Sequence, residues 1–317
     1  MKYKYVLDTK LAAYYISQRG QNISSIFNKV AEILYDLPKG DVYLAFDIGH
    51  SDFRESVYEE YKGQRRSQMD KCPLEEQEAH KQFNIDYASL VEGFNLLGMC
   101  TVAIDGVEAD DIASLLCKQW ENDGEHKVTL ITLDQDWYHM VIGTDNIRLY
   151  EFPAKEFIYD KGIQKTHGVK NRREFSILKA IVGDASDNLK FLNNLAKVKG
   201  GKLFNDMIHD IHEPTNEEAI EYIIEKTKDN HLYTVHDFHV KHGRTTIKEA
   251  FMSNIAVADP FQDCTHMTTV QEEAFVAQRD GIKTECCDPV EFSAYTLKHL
   301  KSFAPLSEKA KKIYGSF

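Results

Sequence analysis

Acidic residues follow four short apolar runs in the first half of the sequence. The runs have the length of buried strands and cover residues 5–7, 42–46, 101–104 and 128–133. The acids that come after them are Asp8, Asp47, Glu108, Asp110, Asp111, Asp134 and Asp136. Because the carboxyl ends of parallel strands meet at one edge of a sheet, we expect these side chains to lie close together. The pattern predicts an acidic rim built from several separate elements.

A fifth acidic block follows a helical pattern at residues 175–182. It contains Asp184 and Asp187, which occupy neighbouring positions of a helix face if a turn forms there. Carboxylates gathered in one cleft repel one another unless cations neutralise them. A donor set of oxygen alone suits Mg²⁺ or Mn²⁺ rather than Zn²⁺. Since two such ions a few ångströms apart promote phosphodiester hydrolysis, the nine acids predict a metal site for phosphate chemistry.

Each acidic group also has a purely structural interpretation. Glu108, Asp110 and Asp111 have the positions of acids at a helix N-terminus, where the helix dipole favours them. Asp134 and Asp136 have the composition of a common turn. The metal site is favoured because an acid follows every candidate strand.

The first basic element comprises Tyr61, Lys62, Arg65 and Arg66. Their spacing predicts one stripe of a helix. An aromatic ring beside three cations suits a nucleotide base stacked above a held phosphate. The alternative is a solvated helix face that pairs with nearby glutamates.

The second basic element lies between Lys161 and Lys202, with ten Lys and Arg against three acids. Such a stretch next to an acidic cluster indicates a track for a duplex backbone. The tail from Lys298 to the end is also basic, and we expect it to be a solvated helix with a flexible end. The thirteen histidines show no ligand spacing typical of zinc sites.

The net charge of the 317-residue chain is −12, a sign that by itself argues against binding to nucleic acid. Setting the nine acids aside leaves only −3, so the charge does not exclude such a partner. Six cysteines without C-x-x-C spacing favour a reducing compartment. We see neither a signal peptide nor an apolar stretch of membrane-spanning length, and we therefore expect a soluble, cytoplasmic protein.

Alternation of strand and helix patterns predicts the α/β class, with a central, mostly parallel sheet flanked by helices. Apolar residues between Ile23 and Leu34 recur at helical spacing, and Thr215 with Glu218 predicts a capping box. Residues 66–82 are polar and predict a mobile excursion from the sheet. We expect a catalytic α/β domain at 1–180, with an arch around 54–85, and a helical DNA-binding region at 181–317.

Taken together, these motifs resemble the 5′ nuclease family of 5′–3′ exonucleases and flap endonucleases, and most closely its bacteriophage members. The blocks that carry the resemblance are Asp8, Phe46-Asp47, Phe53-Arg54, Tyr61-Lys62-Gly63-Gln64-Arg65, Val107-Glu108-Ala109-Asp110-Asp111, Thr132-Leu133-Asp134-Gln135-Asp136 and Leu178-Lys179-Ala180-Ile181-Val182-Gly183-Asp184-Ala185-Ser186-Asp187-Asn188. They follow the family's order over residues 8 to 188, about the first 60% of the chain.

The resemblance implies roles for individual residues. The nine acids would bind two or more Mg²⁺ ions, for which Mn²⁺ could substitute. Lys62 and Arg65 would be catalytic, with Lys62 polarising the scissile phosphate at the base of a helical arch. The residues expected to contact nucleic acid are Arg54, Tyr61, Lys62, Arg65, Arg66, Lys179, Lys190, Lys197, Lys199 and Lys202.

One block departs from the family pattern. Many members follow the Ser-Asp-Asn block with a glycine-rich hairpin that holds a monovalent cation, and residues 189–196 contain no glycine. Tight turns with positive φ are costly without glycine, so we expect Lys197, Lys199 and Lys202 to contact phosphate by charge instead.

The resemblance implies a phosphodiester hydrolase of DNA replication or repair that releases 5′-phosphate products. Its substrates would be 5′ flaps, nicked duplexes and RNA primers paired to DNA, with replication proteins as further partners of a monomer. A doubly wound Mg²⁺ phosphatase is a second hypothesis, but Asp8-Thr9-Lys10 lacks the required Asp-x-Asp. A non-catalytic binder of branched DNA is a third hypothesis, and it is disfavoured because every matched acid is retained.

Overall fold

Six strands form one sheet in the computed structural model. The structure describes residues 1–48, 50–152, 154–185, 187–190, 192, 197–228, 235–259, 267–281, 289–301 and 305–315. The strands are β1 (Lys2–Asp8), β2 (Asp41–Phe46), β3 (Cys100–Ala103), β4 (His126–Ile131), β5 (Ile147–Glu151) and β6 (Glu156–Ile158). Their order across the sheet is β3-β2-β1-β4-β5-β6, and β6 alone among these pairs antiparallel.

Helices fill most of the remaining described chain. They are α1 (Thr9–Gln18), α2 (Ile26–Leu34), α3 (Asp52–Val57), α4 (Gly63–Met69), α5 (Leu74–Leu96), α6 (Ala109–Trp120), α7 (Tyr138–Val141), α8 (Asp160–His167), α9 (Arg172–Val182), α10 (Lys197–Asp210), α11 (Asn216–Thr227), α12 (Asp237–Lys241), α13 (Ile247–Ala258), α14 (Thr269–Asp280), α15 (Pro289–His299) and α16 (Glu308–Tyr314). None of these helices is long and apolar enough to cross a lipid bilayer.

Both faces of the sheet are buried, and the central strand shows this directly. Along β1, Tyr5 and Leu7 join a core with residues of α1, α2, α5 and α16, while Val6 joins a second core with α6 and α9. Side chains alternate between the faces of a strand, so each face has its own helical layer. The predicted α/β class and mostly parallel sheet are confirmed.

Helix α14 covers the outer edge of the sheet at β3. The side-chain amide of Gln278 accepts a hydrogen bond from the backbone N–H of Ala103 (2.7 Å) and donates one to its carbonyl oxygen (3.0 Å). One glutamine therefore takes the place of a neighbouring strand at that residue.

The four predicted strands and the capping box at Thr215 and Glu218, which opens α11, are confirmed. The helix predicted from Ile23 begins as a 3₁₀ turn and becomes α2 at Ile26. The predicted excursion at 66–82 is largely helical, in α4 and the first half of α5. Its sequence lacks apolar periodicity because this part of α5 faces solvent, and burial begins at Tyr87.

The structure bears on two further expectations. Ile181, near the predicted domain boundary, belongs to the same hydrophobic core as Val6 of β1 and Leu203 of α10. The division into two domains stays a prediction. Cys72, Cys100 and Cys117 are not in disulfide bonds, and the remaining cysteines lie outside the described residues.

Candidate metal centre and nucleic-acid interface

The strand order changes direction next to β1, and this creates a crevice at the carboxyl ends of β1 and β4. Open α/β sheets bind ligands at such a switch point. The crevice has a volume of about 540 Å³. Its lining residues are Asp8, Lys10, Leu11, Tyr14, Leu133, Asp134, Gln135, Asp136 and Asp184. The sheet topology therefore brings predicted acids from three separate blocks to one cleft.

Asp110, Asp134 and Asp136 form the tightest carboxylate group in the described structure. One oxygen of each lies within 4.8 Å of the others. Trp137 holds Asp110 in place by donating its indole N–H to Oδ1 (2.6 Å), and the backbone N–H of Asp136 donates to Asp134 (2.9 Å). The group is thus fixed by its own turn and by a buried tryptophan.

Asp8 lies beside this group at the end of β1. Its carboxylate accepts hydrogen bonds from the hydroxyl of Thr132 (3.0 Å) and from the backbone N–H of Lys10 (2.9 Å). Burial, and then the charges of Asp110 and Asp134, raise the pKa of Asp8 to about 7. A carboxyl in this position is costly to ionise unless a cation lies nearby.

Asp47 lies on the other side of Asp8, after β2. Its Oδ2 pairs with the ammonium group of Lys10 (2.5 Å), whereas its Oδ1 is buried and has no hydrogen-bond partner among the described residues. Burial raises the pKa of Asp47, although Lys10 opposes the shift. A buried carboxylate oxygen without a partner is an available ligand atom.

Glu108 is 2% exposed and receives three donors. Arg54 (2.7 Å) and the hydroxyl of Tyr61 (2.8 Å) donate to its Oε2, and Lys62 (2.8 Å) donates to its Oε1. Burial would raise the pKa of Glu108, but Arg54 and Lys62 outweigh it and lower that pKa to about 2.

Asp111 pairs with Arg54 through both of its oxygens, at 2.8 and 3.0 Å. The guanidinium of Arg54 is buried (3% exposed) between two acids, and its expected contact with nucleic acid stays a prediction. Asp111 was predicted as a metal ligand, and here Arg54 occupies both of its oxygens.

The fifth acidic block closes the cleft from the side of α9. Lys179 contacts Asp136 and also Asp184 (3.1 Å), so the lysine predicted to touch nucleic acid bridges two acids in this structure. Asp184 exchanges backbone hydrogen bonds with Leu189, which closes a tight loop around Asp187. Burial raises the pKa of Asp187, and Lys62 opposes the shift.

The predicted helical stripe at residues 61–66 is wrong. Lys62 has a left-handed backbone (φ 52°) and precedes α4, so Tyr61 and Lys62 lie outside the helix that contains Arg65 and Arg66. The ring of Tyr61 is 1% exposed and leaves no face for a base. Arg65 is exposed on α4, and Arg66 pairs with Glu55.

The remaining predicted nucleic-acid contacts lie further out. Lys190 donates to the side chain of Asn188 (2.6 Å). Lys199 and Lys202, both exposed on α10, line a second cleft of about 560 Å³ together with Tyr222, Lys226 and the acids Asp206 and Asp210. The side chain of Lys197 lies outside the described part of the structure. Most of residues 189–196, where the family has its glycine-rich hairpin, also lie outside it.

Two cleft residues were not predicted from the sequence. Lys10 and Tyr14 are half-exposed on α1 and line the crevice next to Asp8. Their i, i+4 spacing, directly after the acid that ends the first strand, places both on one face of the helix and was the signal that could have identified them.

The charge balance of the rim fits divalent cations. The rim holds nine acids, five of which form ion pairs with four cations, so five negative charges are in excess when all nine acids are ionised. The four cations are Lys10, Arg54, Lys62 and Lys179. An oxygen-only cluster with this excess and a buried, unpartnered Asp47 oxygen has the chemistry of a site for hard divalent ions.

Residues 8–171 match the family model described as the 5′-3′ exonuclease, N-terminal resolvase-like domain. Because this match spans more than half of the chain, the protein belongs to that family.

Individual relatives agree with this family. The chain is 31% identical over 148 residues to a 5′-3′ exonuclease of Buchnera aphidicola subsp. Acyrthosiphon pisum. The aligned region covers 47% of this chain and 46% of that protein. The chain is 30% identical over 162 residues to a flap endonuclease of Escherichia phage T5, covering 50% and 54%. The chain thus matches about half the length of these curated relatives.

A solved structure shares the fold over nearly the whole chain. The bacteriophage T5 D15 flap endonuclease, in a pseudo-enzyme–product complex with DNA and metal ions, aligns with a TM-score of 0.62 at 18% identity. The alignment covers 95% of this chain and 100% of the T5 chain. The predicted family resemblance is confirmed.

Proposed function

We propose that this protein is a divalent-metal-dependent 5′ nuclease that hydrolyses phosphodiester bonds by 5′–3′ exonuclease and flap endonuclease action. The observation that carries the proposal is the carboxylate group of Asp110, Asp134 and Asp136 at the switch point of the sheet. The family relationship and the names of the relatives support the same reaction.

Mg²⁺ is the cofactor that we propose for this cleft. Asp8, Asp110, Asp134 and Asp136 would hold it on the inner side, with Asp184 and Asp187 on the α9 side. Two ions bound there would activate water for attack and stabilise the charge that develops on the leaving O3′. Oxygen-only coordination favours Mg²⁺ or Mn²⁺ over softer metals.

Lys62 is the residue that we propose to contact the scissile phosphate. Burial would lower the pKa of its ammonium group, but Glu108 and Asp187 hold that pKa above its usual value. Lys62 therefore stays positively charged at the inner wall of the rim. From this position it can donate to a phosphate oxygen and stabilise the negative charge of the transition state. Arg65, exposed one turn further along, would steer the same strand.

DNA with a 5′ single strand is the substrate class that the layout supports. The acidic cleft and the lysine-lined cleft on α10 and α11 would serve the scissile strand and the duplex backbone, respectively. The complex of the T5 fold neighbour with DNA supports this assignment. We extend the proposed substrates to nicked duplexes and to RNA primers paired to DNA. The process that we propose is DNA replication or repair in the cytoplasm, which is the cytoplasm of the host cell if the protein is phage-encoded.

Cleavage of a 5′-labelled flap tests the proposal. The purified protein should cut the flap with Mg²⁺ and leave it intact with EDTA. Asp136→Asn should lower the cleavage rate by at least about 100-fold while flap binding persists, because the variant loses a metal ligand and not the duplex contacts. Asp145→Asn changes an exposed aspartate outside the cleft and should match the wild type. An intact flap that is bound normally by the wild type with Mg²⁺ would refute the proposal.

A further inference from the structure

Asn188 lies at the end of the acidic loop in an unusual conformation. It is 2% exposed, and its backbone is left-handed (φ 60°). Asparagine tolerates this region better than other residues with a Cβ, yet the conformation persists only where the surroundings hold it. The sequence motifs predict neither a metal-binding nor a nucleic-acid-binding role for Asn188.

The side chain of Asn188 connects two segments that are distant in sequence. Its Nδ2 donates to the carbonyl oxygen of Glu60 (3.0 Å), and its Oδ1 accepts from the ammonium group of Lys190 (2.6 Å). Glu60 lies two residues before Lys62. The amide therefore ties the loop that contains Asp187 to the segment that contains the proposed catalytic lysine.

A second hydrogen bond runs beside the first. The backbone N–H of Lys62 donates to the carbonyl oxygen of Asp187 (3.1 Å). Residues 187 and 188 thus hold the backbone on both sides of Tyr61. Because Lys62 also has a left-handed backbone (φ 52°), these two bonds set the direction in which its side chain leaves the backbone, and Glu108 holds the ammonium group at its end.

Helices from the last third of the chain support this junction. The hydroxyl of Tyr58 accepts from the backbone N–H of Lys190 (3.0 Å), and its ring stacks on Phe238 of α12 with centroids 5.1 Å apart. Asn254 of α13 donates to the carbonyl oxygens of Ala180 (2.8 Å) and Lys190 (3.0 Å). These helices follow the residues matched by the family model, so the junction depends on the rest of the chain.

We propose that Asn188 is a positioning residue that places Lys62 relative to the acidic loop. The proposal rests on the nuclease function proposed above. Loss of the Asn188 side chain breaks the tie between the acidic loop and the Glu60 carbonyl, which keeps its hydrogen bond from the N–H of Gly63 (2.8 Å). The segment at 60–62 can then move relative to that loop, while the acids of the cleft keep their own supports. The ammonium group of Lys62 then misses the phosphate, and cleavage slows without loss of metal.

A double-mutant cycle between Asn188 and Lys62 tests this coupling. Asn188→Gly is the preferred variant because glycine adopts the left-handed backbone without strain. It should lower kcat by about 100-fold, the loss typical of a group displaced by about 1 Å. In a Lys62→Ala background it should cause no further loss, because the residue through which it acts is already gone.

Three measurements complete the design. The affinity for Mn²⁺ and the thermal midpoint of Asn188→Gly should stay close to those of the wild type. Asn188→Asp keeps an oxygen that accepts from Lys190 but loses the N–H that donates to Glu60. Its kcat should therefore be lowered as much as that of Asn188→Gly. Asn122→Gly is the matched control, since Asn122 is also left-handed (φ 59°) but is exposed beyond the end of α6.

The cycle separates this inference from the nuclease function itself. A wild type that fails to cleave refutes the proposed function. A wild type that cleaves, with rate losses that multiply between Asn188→Gly and Lys62→Ala, refutes the positioning role. Mn²⁺ affinity that falls by the same factor as kcat also refutes it, because Asn188 would then act through the metal ligands.

Discussion

The ammonium group of Lys62 lies 2.8 Å from Oε1 of Glu108, and the other oxygen of the same carboxylate receives Arg54 and Tyr61. These donors lower the pKa of Glu108 to about 2, so its carboxylate stays ionised well into the acidic range. The carboxylate of Glu108 is therefore a fixed negative charge that holds the ammonium group of Lys62 at the edge of the acidic cleft.

Substitution of Lys62 should affect the chemical step more than substrate binding. We expect Lys62→Met to lower kcat by about 100- to 1,000-fold, the usual effect of removing one donor to developing charge, with a smaller change in KM. Single-turnover cleavage of a labelled flap measures both. Lys118→Met, at an exposed position near the end of α6, is the control. A loss confined to KM would contradict this role.

The metal-free protein should lose stability as the pH rises. Asp8 has a folded-state pKa of about 7 against an ordinary value of 3.8, so its ionisation opposes folding from about pH 4 and does so fully above pH 7. In EDTA, the free energy of unfolding of Asp8→Asn relative to the wild type should therefore increase between pH 4 and pH 8, by on the order of 3 kcal/mol. Urea unfolding at the two pH values measures this gain.

Mg²⁺ provides the second arm of that experiment. Bound divalent ions favour the ionised carboxylate, so the advantage of Asp8→Asn at pH 8 should shrink or reverse when Mg²⁺ replaces EDTA. A stability difference that is the same at both pH values would show that Asp8 is not the residue responsible.

Tyr14 should contribute to substrate binding through its exposed ring. It lines the cleft beside Asp8 and is 52% exposed, which suits stacking on a base. Tyr14→Ala should raise KM by about 5- to 100-fold, since a stacked base contributes about 1–3 kcal/mol. Tyr159 is equally exposed at 52% but lies outside this cleft, so Tyr159→Ala should leave KM unchanged. Equal effects of the two variants would argue against a stacking site.

Lys199 and Lys202 should contribute to affinity through charge alone. Replacing both by alanine should lower duplex affinity and reduce the slope of log K against log salt concentration by about 2, close to 1 for each lost phosphate contact. Fluorescence anisotropy over a salt series measures the slope. The pair Lys2→Ala and Lys118→Ala removes the same charge from other exposed positions and should leave the slope unchanged.

The acidic rim could be predicted from sequence because it depends on short-range information. Seven of the nine acids follow a strand or open a helix, and parallel pairing of β1 with β2 and β4 then brings Asp8, Asp47 and Asp134 to the same edge. Neither the alternation nor the acid positions require knowledge of distant contacts.

The basic residues could not be placed in the same way. A helical spacing was assumed across residues 61–66, but Lys62 is left-handed because Glu108 and Asp187 hold it, and they lie 46 and 125 positions away. Arg54 was expected to contact nucleic acid from the family resemblance, and the structure pairs it with Glu108 and Asp111, which lie more than 50 positions away. Neither set of long-range ion pairs can be read from the neighbouring sequence.

The hydrogen bonds of Gln278 to Ala103 have a consequence for how molecules of this protein meet one another. An exposed edge strand offers unpaired backbone groups to a second sheet, and such edges promote aggregation. Here the outermost strand on that side already has a side-chain amide in the position of a neighbour. Helix α14 thus covers this edge of the sheet and disfavours self-association of two molecules through β3.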